Sequence, residues 1–514
     1  QPGSGVPVTE SIIQERNQKM KKKIAALLAM LMMAAAAVSC AGGGGKPSGG
    51  TGKEPGSSGG GTGSSGESTS SIDVLEPGDY NNADFTVMYR DINGSKGWGE
   101  WGVYTESDDG TVIASAVYRR NAELEDTWKI KLKYNHVNDT GVWKTDFYNQ
   151  MNDSYLSGDT ICDLCIPGVM DASSLVYFGF FTDLNTLDEI NFDRSWWRSN
   201  INASLTLAGK QYMAIHDLLL NDVRDTFAIY FNKEVMDNNE IAYPYDLVYD
   251  GKWTLDVFGK MIMGFGGEID GDNEATIADR FGLITSINDV FFVGSGIVGA
   301  SLDPETGLPV ITQFSEKIAG IYDWLNKLQT TNPYDVWNYM ARGDGHMQEL
   351  FDKKSLFLNR SVNMLQFFTS TYESPIGVLP VPKYDEAQRH YISRAGWNGT
   401  TVLTIPENAK NKKMSADIIE AYGMLSQKYL RPAFYEKMLG ARYIDDLVND
   451  RKMLDLVIAG EVMDIDTVYQ FGGPLLMKFA HNAYTGGTAA SSYETYRSKA
   501  QAELDKMLAN LKKQ

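Results

Sequence analysis

Short apolar runs alternate with helix-spaced patterns along most of the 514-residue chain, and this alternation predicts an α/β protein. Trp128-Lys129-Ile130-Lys131-Leu132-Lys133-Tyr134 alternates strictly and predicts a strand with one lysine face in solvent. Residues 161–166 (ICDLCI) read as a buried strand stopped by Pro167-Gly168. Residues 227–231 (FAIYF) read as another, running into Asn232-Lys233-Glu234. Near the C-terminus, Ser491-Ser492-Tyr493-Glu494 has the form of a capping box. Tyr493, Tyr496, Ala500, Leu504, Met507 and Leu511 then recur at helical spacing, predicting a helix whose stripe is core. No fixed-period repeat occurs.

The first 71 residues follow another logic. Met20 and Lys21-Lys22-Lys23 precede fifteen apolar residues, 24–38, too short to span a bilayer comfortably and laid out like a secretory signal. The run ends Ala37-Val38-Ser39-Cys40, which resembles a bacterial lipobox and implies lipidation at Cys40, with Ala at position 37 where Leu is usual. Residues 41–71 hold 13 Gly and 8 Ser in 31 positions, a flexible coil reaching about 30 Å. The expected organisation is 1–39 upstream residues and signal peptide, and 40–71 lipidated cysteine and linker.

Charge and composition narrow the function. The formal net charge is −19, and loss of residues 1–39 takes it to about −22, a poor match for nucleic-acid phosphates. No nucleic-acid partner is expected. No apolar run after the signal approaches 18 residues, so no multi-span membrane protein is predicted. Three cysteines exclude a disulfide scaffold, and the five histidines form no HExxH.

Three motifs read blandly. Gly294-Ser295-Gly296-Ile297-Val298-Gly299 fits GxGxxG, yet Asp303-Pro304 and Gly307 leave no room for the helix a dinucleotide needs. It reads as a glycine-rich loop passing close to a ligand or another strand. Cys162-Asp163-Leu164-Cys165 is a CxxC, but along an extended strand the two thiols would lie about 10 Å apart on opposite faces. Both are expected to be free. Asp270-Gly271-Asp272-Asn273-Glu274 suggests a calcium loop, with Ala275 and Phe281 in place of its glycine and glutamate. It reads as a solvated acidic turn. No GxSxG or Walker loop occurs, so neither a cofactor nor a metal is expected and no catalytic residue is assigned. A glycosidase carboxylate pair stays open, because its members need not be close in sequence.

The positive signal is aromatic. Ten Trp, 27 Tyr and 21 Phe include several beside polar loop residues: Trp196-Trp197, Trp253, Trp337, Trp397-Asn398-Gly399 and Tyr469. Sugars present apolar faces rimmed by hydroxyls, and such pairs of aromatic and polar groups suit them.

Seven strings in order carry a family resemblance. They are residues 116–121 (AVYRRN) with Glu125, 193–197 (DRSWW), 209–212 (GKQY), 231–234 (FNKE), 251–256 (GKWTLD), 279–283 (DRFGL) and 376–383 (IGVLPVPK). Together they resemble family 1 of the extracellular solute-binding proteins of ABC importers, the sugar-binding group that includes maltose-binding protein.

The resemblance implies a two-lobed periplasmic-binding-protein-like (type II) α/β fold with a hinge and an interlobe ligand cleft. Lobe one would span 72–226 plus 385–430, and lobe two 227–384 plus 431–514. Function would be capture of a carbohydrate by lobe closure without catalysis. A monomer would deliver it to ABC permease subunits with a separate ATPase, from an extracytoplasmic position anchored by lipid. Carried across residue by residue, ligand contacts would fall at Asp225, Phe292, Asn359, Arg360, Trp397 and Tyr469, and in the loop that holds Asp171. That loop has Pro167, Met170 and Asp171 where the family has Trp, Asp and Arg. A surface glycoside hydrolase, a helical glycan-binding lipoprotein and an importer receptor for a non-sugar solute remain alternatives.

Overall fold

The computed structural model describes residues 75–91, 101–138, 145–285, 288–338, 351–352, 354–367, 374–440, 444–471, 473–483 and 487–511. The expected signal peptide, Cys40 and the Gly/Ser-rich segment lie outside them. The chain divides into two units, Gln1–Ser70 and Ser71–Gln514, and everything below concerns the second.

Its strands, in chain order, are β1 (Ala83–Asp91), β2 (Ile130–Asn138), β3 (Leu164–Ile166), β4 (Phe227–Asn232), β5 (Phe281–Thr285), β6 (Ala300–Leu302), β7 (Pro309–Ile311), β8 (Val336–Asn338), β9 (Ser355–Ser361), β10 (Ile376–Leu379), β11 (Ser393–Arg394) and β12 (Glu461–Val462). One sheet is parallel, in the order β2-β1-β3, with Ala83 opposite Ile130 and Val87 opposite Leu164. The second is mixed, in the order β10-β4-β9-β5-β8, with β4 antiparallel to both neighbours. β4 is buried along its whole length, which is why residues 227–231 read as a continuous apolar run.

The helices that matter for the site are α1 (Val112–Trp128), α2 (Val169–Val176), α3 (Asn221–Asp225), α4 (Lys233–Asn238), α5 (Asp289–Gly294), α6 (Lys412–Leu439), α7 (Leu447–Ala459), α8 (Ile465–Tyr469) and α9 (Ala489–Leu511). α6 packs along α1 and passes unbroken through position 430.

The family-like strings are clamps. Asn232 ends β4, caps α4 by accepting the Val235 N–H at 2.9 Å, and donates to the Phe351 and Asp352 carbonyls. Next to it, buried Lys233 pairs with buried Asp450 at 3.4 Å, and Asp450 also accepts from the Tyr245 hydroxyl and the Val378 N–H. Trp196 and Trp197 both donate their indole N–H to Glu420, at 2.7 and 3.1 Å. Trp253 donates its indole N–H to the Pro380 carbonyl at 2.9 Å, while across the same seam the Leu255 N–H donates to the Lys383 carbonyl at 2.8 Å and the Lys383 N–H to the Trp253 carbonyl at 3.1 Å. Each places a polar group where burial without a partner would cost about 1–3 kcal/mol.

Three chain segments run side by side where the two sheets meet: α3 into β4, β11 into 395–400, and α7 through β12 into α8. The Gly396 N–H donates to the Asp225 carbonyl at 3.0 Å, the Ala395 N–H to Val462 at 2.9 Å, and the Ser393 N–H to Gly460 at 2.8 Å. Beyond them, Leu403 and Thr404 bridge to Ala214 and Cys165, returning the chain to the parallel sheet.

Some expected boundaries move. Trp128 is the last residue of α1, Lys129 turns the chain at φ 51°, and the strand with exposed Lys131 and Lys133 starts at Ile130. β3 covers only Leu164–Ile166, so Cys162 precedes the strand and its thiol meets that of Cys165. Both thiols are buried and free, as expected, although the opposite-face argument fails. α9 begins at Ala489, before the expected box, and Thr488 Oγ1 accepts the Ser491 N–H. Its stripe, Tyr493, Ala500, Leu504 and Met507, is core.

Candidate ligand-binding site

Asp225 closes α3 at the first crossing. Its carboxylate accepts the Gly399 N–H at 3.2 Å, and any side chain at Gly396 would collide with it. Burial raises the Asp225 carboxyl to about 6, against the opposing pull of the Gly399 N–H and the guanidiniums of Arg394, Arg360 and Arg224. Trp397 sits half-buried in the same loop, beside exposed Asn398. Arg90, at the end of β1, donates to the Asn398 carbonyl at 3.2 Å and fills the space a Cβ on Gly168 would need.

The loop after β3 faces α8. The Val169 N–H donates to the Thr400 carbonyl at 3.0 Å. Asp171 is buried and accepts the Thr145 hydroxyl. The Ser173 hydroxyl reaches the Met170 carbonyl at 2.9 Å and the Val468 carbonyl at 3.0 Å. Tyr177 meets Tyr469 edge-on at 5.8 Å, and Tyr469 stacks on Phe471 at 6.0 Å. The Tyr469 hydroxyl is buried with no hydrogen-bond partner among the described residues, and burial pushes its pKa up.

On the mixed-sheet side, Arg394 of β11 pairs with Asp289 of α5 at 2.9 Å, both buried. Asn359 of β9 donates to Thr285 Oγ1 at 3.1 Å, and Arg360 beside it is half-buried. Asp464 gathers the N–H groups of Gly299, Ala300 and Asp466 at 2.7, 3.2 and 3.0 Å. A Cβ on Gly299 would lie 2.8 Å from the Asp466 carboxylate, so the glycine-rich stretch is a close approach to the start of α8 and not to another strand.

The fold thus brings Asp225, Trp397, Asp171 and Tyr469 to one seam. It places Phe292 elsewhere: fully buried, 5.4 Å from Phe479, with no free face in this structure. Asn359 lies inside the sheet. Sequence reasoning misses Arg90, Tyr177, Asp289 and Arg394, and covers Ser173 only as the end of the loop that holds Asp171. Only Arg394 carried a signal, three residues before the aromatic loop it supports.

The acidic turn draws oxygens of Glu268, Asp270, Asp272 and Asp279 within 4.8 Å of one another. Asp279 is the buried member and already accepts the Ile269 and Thr276 N–H groups. Glu268 and Asp272 likewise take backbone N–H groups of the turn. Among the described residues no helix is long and apolar enough to cross a membrane.

No family model matches the chain, and no curated protein matches it. Solved structures do. A cyclo/maltodextrin-binding protein complexed with maltotetraose is 13% identical with TM-score 0.54, over 82% of this chain and 97% of that one. The cyclic alpha-maltosyl-1,6-maltose binding protein from Arthrobacter globiformis is 14% identical with TM-score 0.53, over 82% and 99%. UgpB from Mycobacterium tuberculosis, in complex with glycerophosphocholine, is 15% identical with TM-score 0.50, over 83% and 99%. At such identities the likeness shows the fold: a periplasmic-binding-protein-like α/β architecture, the one that the sequence resemblance implies.

Proposed function

We propose that this protein is the substrate-binding lipoprotein of an ABC importer, capturing an oligosaccharide between two lobes and handing it to a membrane permease. The first crossing is that of the sequence reading, after Asp225; we take the other two at Gly396 and Val462 in place of 384 and 430, because α6 runs unbroken through 430, and these three adjacent segments form the hinge. The observation that supports the reading is the set of bonds along the seam: Asp225 holds the Gly399 N–H of the Trp397 loop, the Thr400 carbonyl holds the Val169 N–H, and Ser173 holds the Val468 carbonyl beside the packed Tyr177, Tyr469 and Phe471 rings. Its fold is shared with maltodextrin-binding structures over nearly their whole length. Closure would bury the ligand between loops of both sheets.

Thermal-shift screening against a glycan panel tests this. One oligosaccharide class should raise the melting temperature, by about 2.7 kcal/mol of added stability at a hundred times its Kd. Stabilisation by glycerophosphodiesters alone would turn the reading to the cargo of the UgpB neighbour, and turnover of a glycan by purified protein would turn it to a hydrolase. The anchor has its own test: Cys40→Ala should move the protein from the membrane fraction to the medium, or leave it unprocessed. Membrane retention after signal cleavage would refute lipidation.

A further inference from the structure

Asn398 and Gly399 form an Asn-Gly pair in the loop between Gly396 and Thr400. Asparagine before glycine is open to imide chemistry. The next backbone nitrogen can close a five-membered ring on the side-chain amide carbon, and a glycine carries no side chain to shield that nitrogen. Asn398 is exposed, and among the described residues no hydrogen bond holds its side-chain amide.

The peptide group that joins the two residues is held at both ends. Its carbonyl, on Asn398, accepts from Arg90 Nη1 at 3.2 Å. Its N–H, on Gly399, donates to Asp225 Oδ2 at 3.2 Å. In a planar trans peptide these two groups point in opposite directions, so a cation and an anion face each other across one amide. The guanidinium draws charge towards the oxygen and makes the N–H more acidic, while the carboxylate is in place to take the proton. Arg90 and Asp225 lie 308 and 174 positions from their partners in this peptide, so an unfolded chain has neither beside it.

We propose that Asn398 is a self-modification site, at which Asp225 and Arg90 promote succinimide formation with Gly399. The Asp225 carboxylate takes the Gly399 N–H proton, and the nitrogen attacks Asn398 Cγ to form the new C–N bond. The Cγ–Nδ2 bond then breaks, and the amide nitrogen leaves as ammonia with that proton. Water opens the ring at either carbonyl, giving an aspartate or an isoaspartate at position 398, and no oxidant or reductant takes part. Asp225 faces the guanidiniums of Arg394, Arg360 and Arg224, yet burial holds its carboxyl at about 6, so at neutral pH it is mostly the anion a base must be. Either product adds a charge beside Trp397 and Asp225. The isoaspartate also lengthens the backbone by one atom, which moves the Gly399 N–H away from its acceptor.

The test incubates the full chain at neutral pH, both native and in guanidinium chloride. Trypsin then releases residues 395–410, between Arg394 and Lys410, and mass spectrometry follows the amide-to-acid mass gain at Asn398. Conversion should run about tenfold or more faster in the native protein, the gain expected of a positioned base. Asp225→Asn keeps an acceptor and loses the base, and should bring the native rate down to that of the denatured chain or below. Arg90→Met should slow conversion too; Asp225→Asn decides alone if that variant does not fold. The native rate should rise through about pH 6 and then level as Asp225 ionises. Native conversion no faster than in the denatured chain, a rate unchanged in Asp225→Asn, or a rate that climbs with pH without levelling would each overturn the proposal. No ligand enters the experiment, so its outcome is independent of the function proposed above.

Discussion

Ser173 and Val468 are joined by a 3.0 Å hydrogen bond between a hydroxyl on α2 and a carbonyl on α8, 295 positions apart in the chain. The bond locks the loop after β3 to the helix that ends in Tyr469, and puts the Tyr469 ring against Tyr177.

Tyr469 separates packing from recognition. Its buried hydroxyl has no partner in the described residues, so Tyr469→Phe should leave the ligand-free protein as stable or raise its stability by up to about 1–3 kcal/mol. The same change should weaken glycan binding, and Tyr469→Ala should weaken it by about 1–3 kcal/mol. Calorimetry with the glycan found by screening decides. Unaltered affinity in both variants would remove Tyr469 from the site.

Asp225 predicts a pH dependence. Its folded-state carboxyl sits at about 6, above the ordinary 3.8, because burial disfavours the anion. The folded state therefore holds a proton that the unfolded chain has released, and stability falls as pH rises from 3.8 to about 6. Asp225→Asn should lose that slope and, above it, be up to about 3 kcal/mol more stable than the parent. Urea melts across this window measure both, and an unchanged slope would refute the assignment.

Lys233 neutralises Asp450 inside the mixed-sheet core. Lys233→Met should cost about 3–5 kcal/mol near neutrality, since it leaves a buried carboxylate without its cation. The loss should shrink in acid, once Asp450, raised by burial to about 6, is protonated. A loss that does not depend on pH would mean that packing around the lysine stem, and not charge, sets its value.

Glu420 ties the paired tryptophans to α6. Trp196→Ala should cost about 3–5 kcal/mol through the cavity it opens. Glu420→Gln should cost about 1–3 kcal/mol, because an amide N–H₂ would then face an N–H donor. Neither should alter ligand affinity in protein that remains folded.

These experiments divide the chain as its sequence does. Strings such as 231–234 and 251–256 were legible because each residue type answers a local demand: Asn232 caps α4, Lys233 meets Asp450, and Trp253 reaches Pro380. Such demands fix the fold and can be read along the chain. The seam was only half legible. Arg394 finds Asp289 across 105 positions, and Ser173 finds Val468 across 295, so no spacing rule links them. Phe292 shows the converse: an aromatic near an expected stacking position that the fold commits to the core against Phe479. The strand boundaries slipped for a smaller reason. Lys129 takes a left-handed turn that alternation cannot register, and Cys162 lies before the strand it was assigned to.

One contact between the tips of two turns bears on how this molecule tolerates change over evolutionary time. The Ala208 N–H meets the Gly307 carbonyl at 2.9 Å, joining the turn after α3's upstream loops to the hairpin of β6 and β7. Only main-chain atoms take part, so substitution at most surrounding positions leaves the donor and acceptor in place. The exceptions are the two glycines. Gly209 sits at φ 75° and Gly307 at φ 64°, and a Cβ on Gly307 would also come within 2.9 Å of the Gly209 nitrogen. The contact is indifferent to drift at most positions around it and fragile at those two codons.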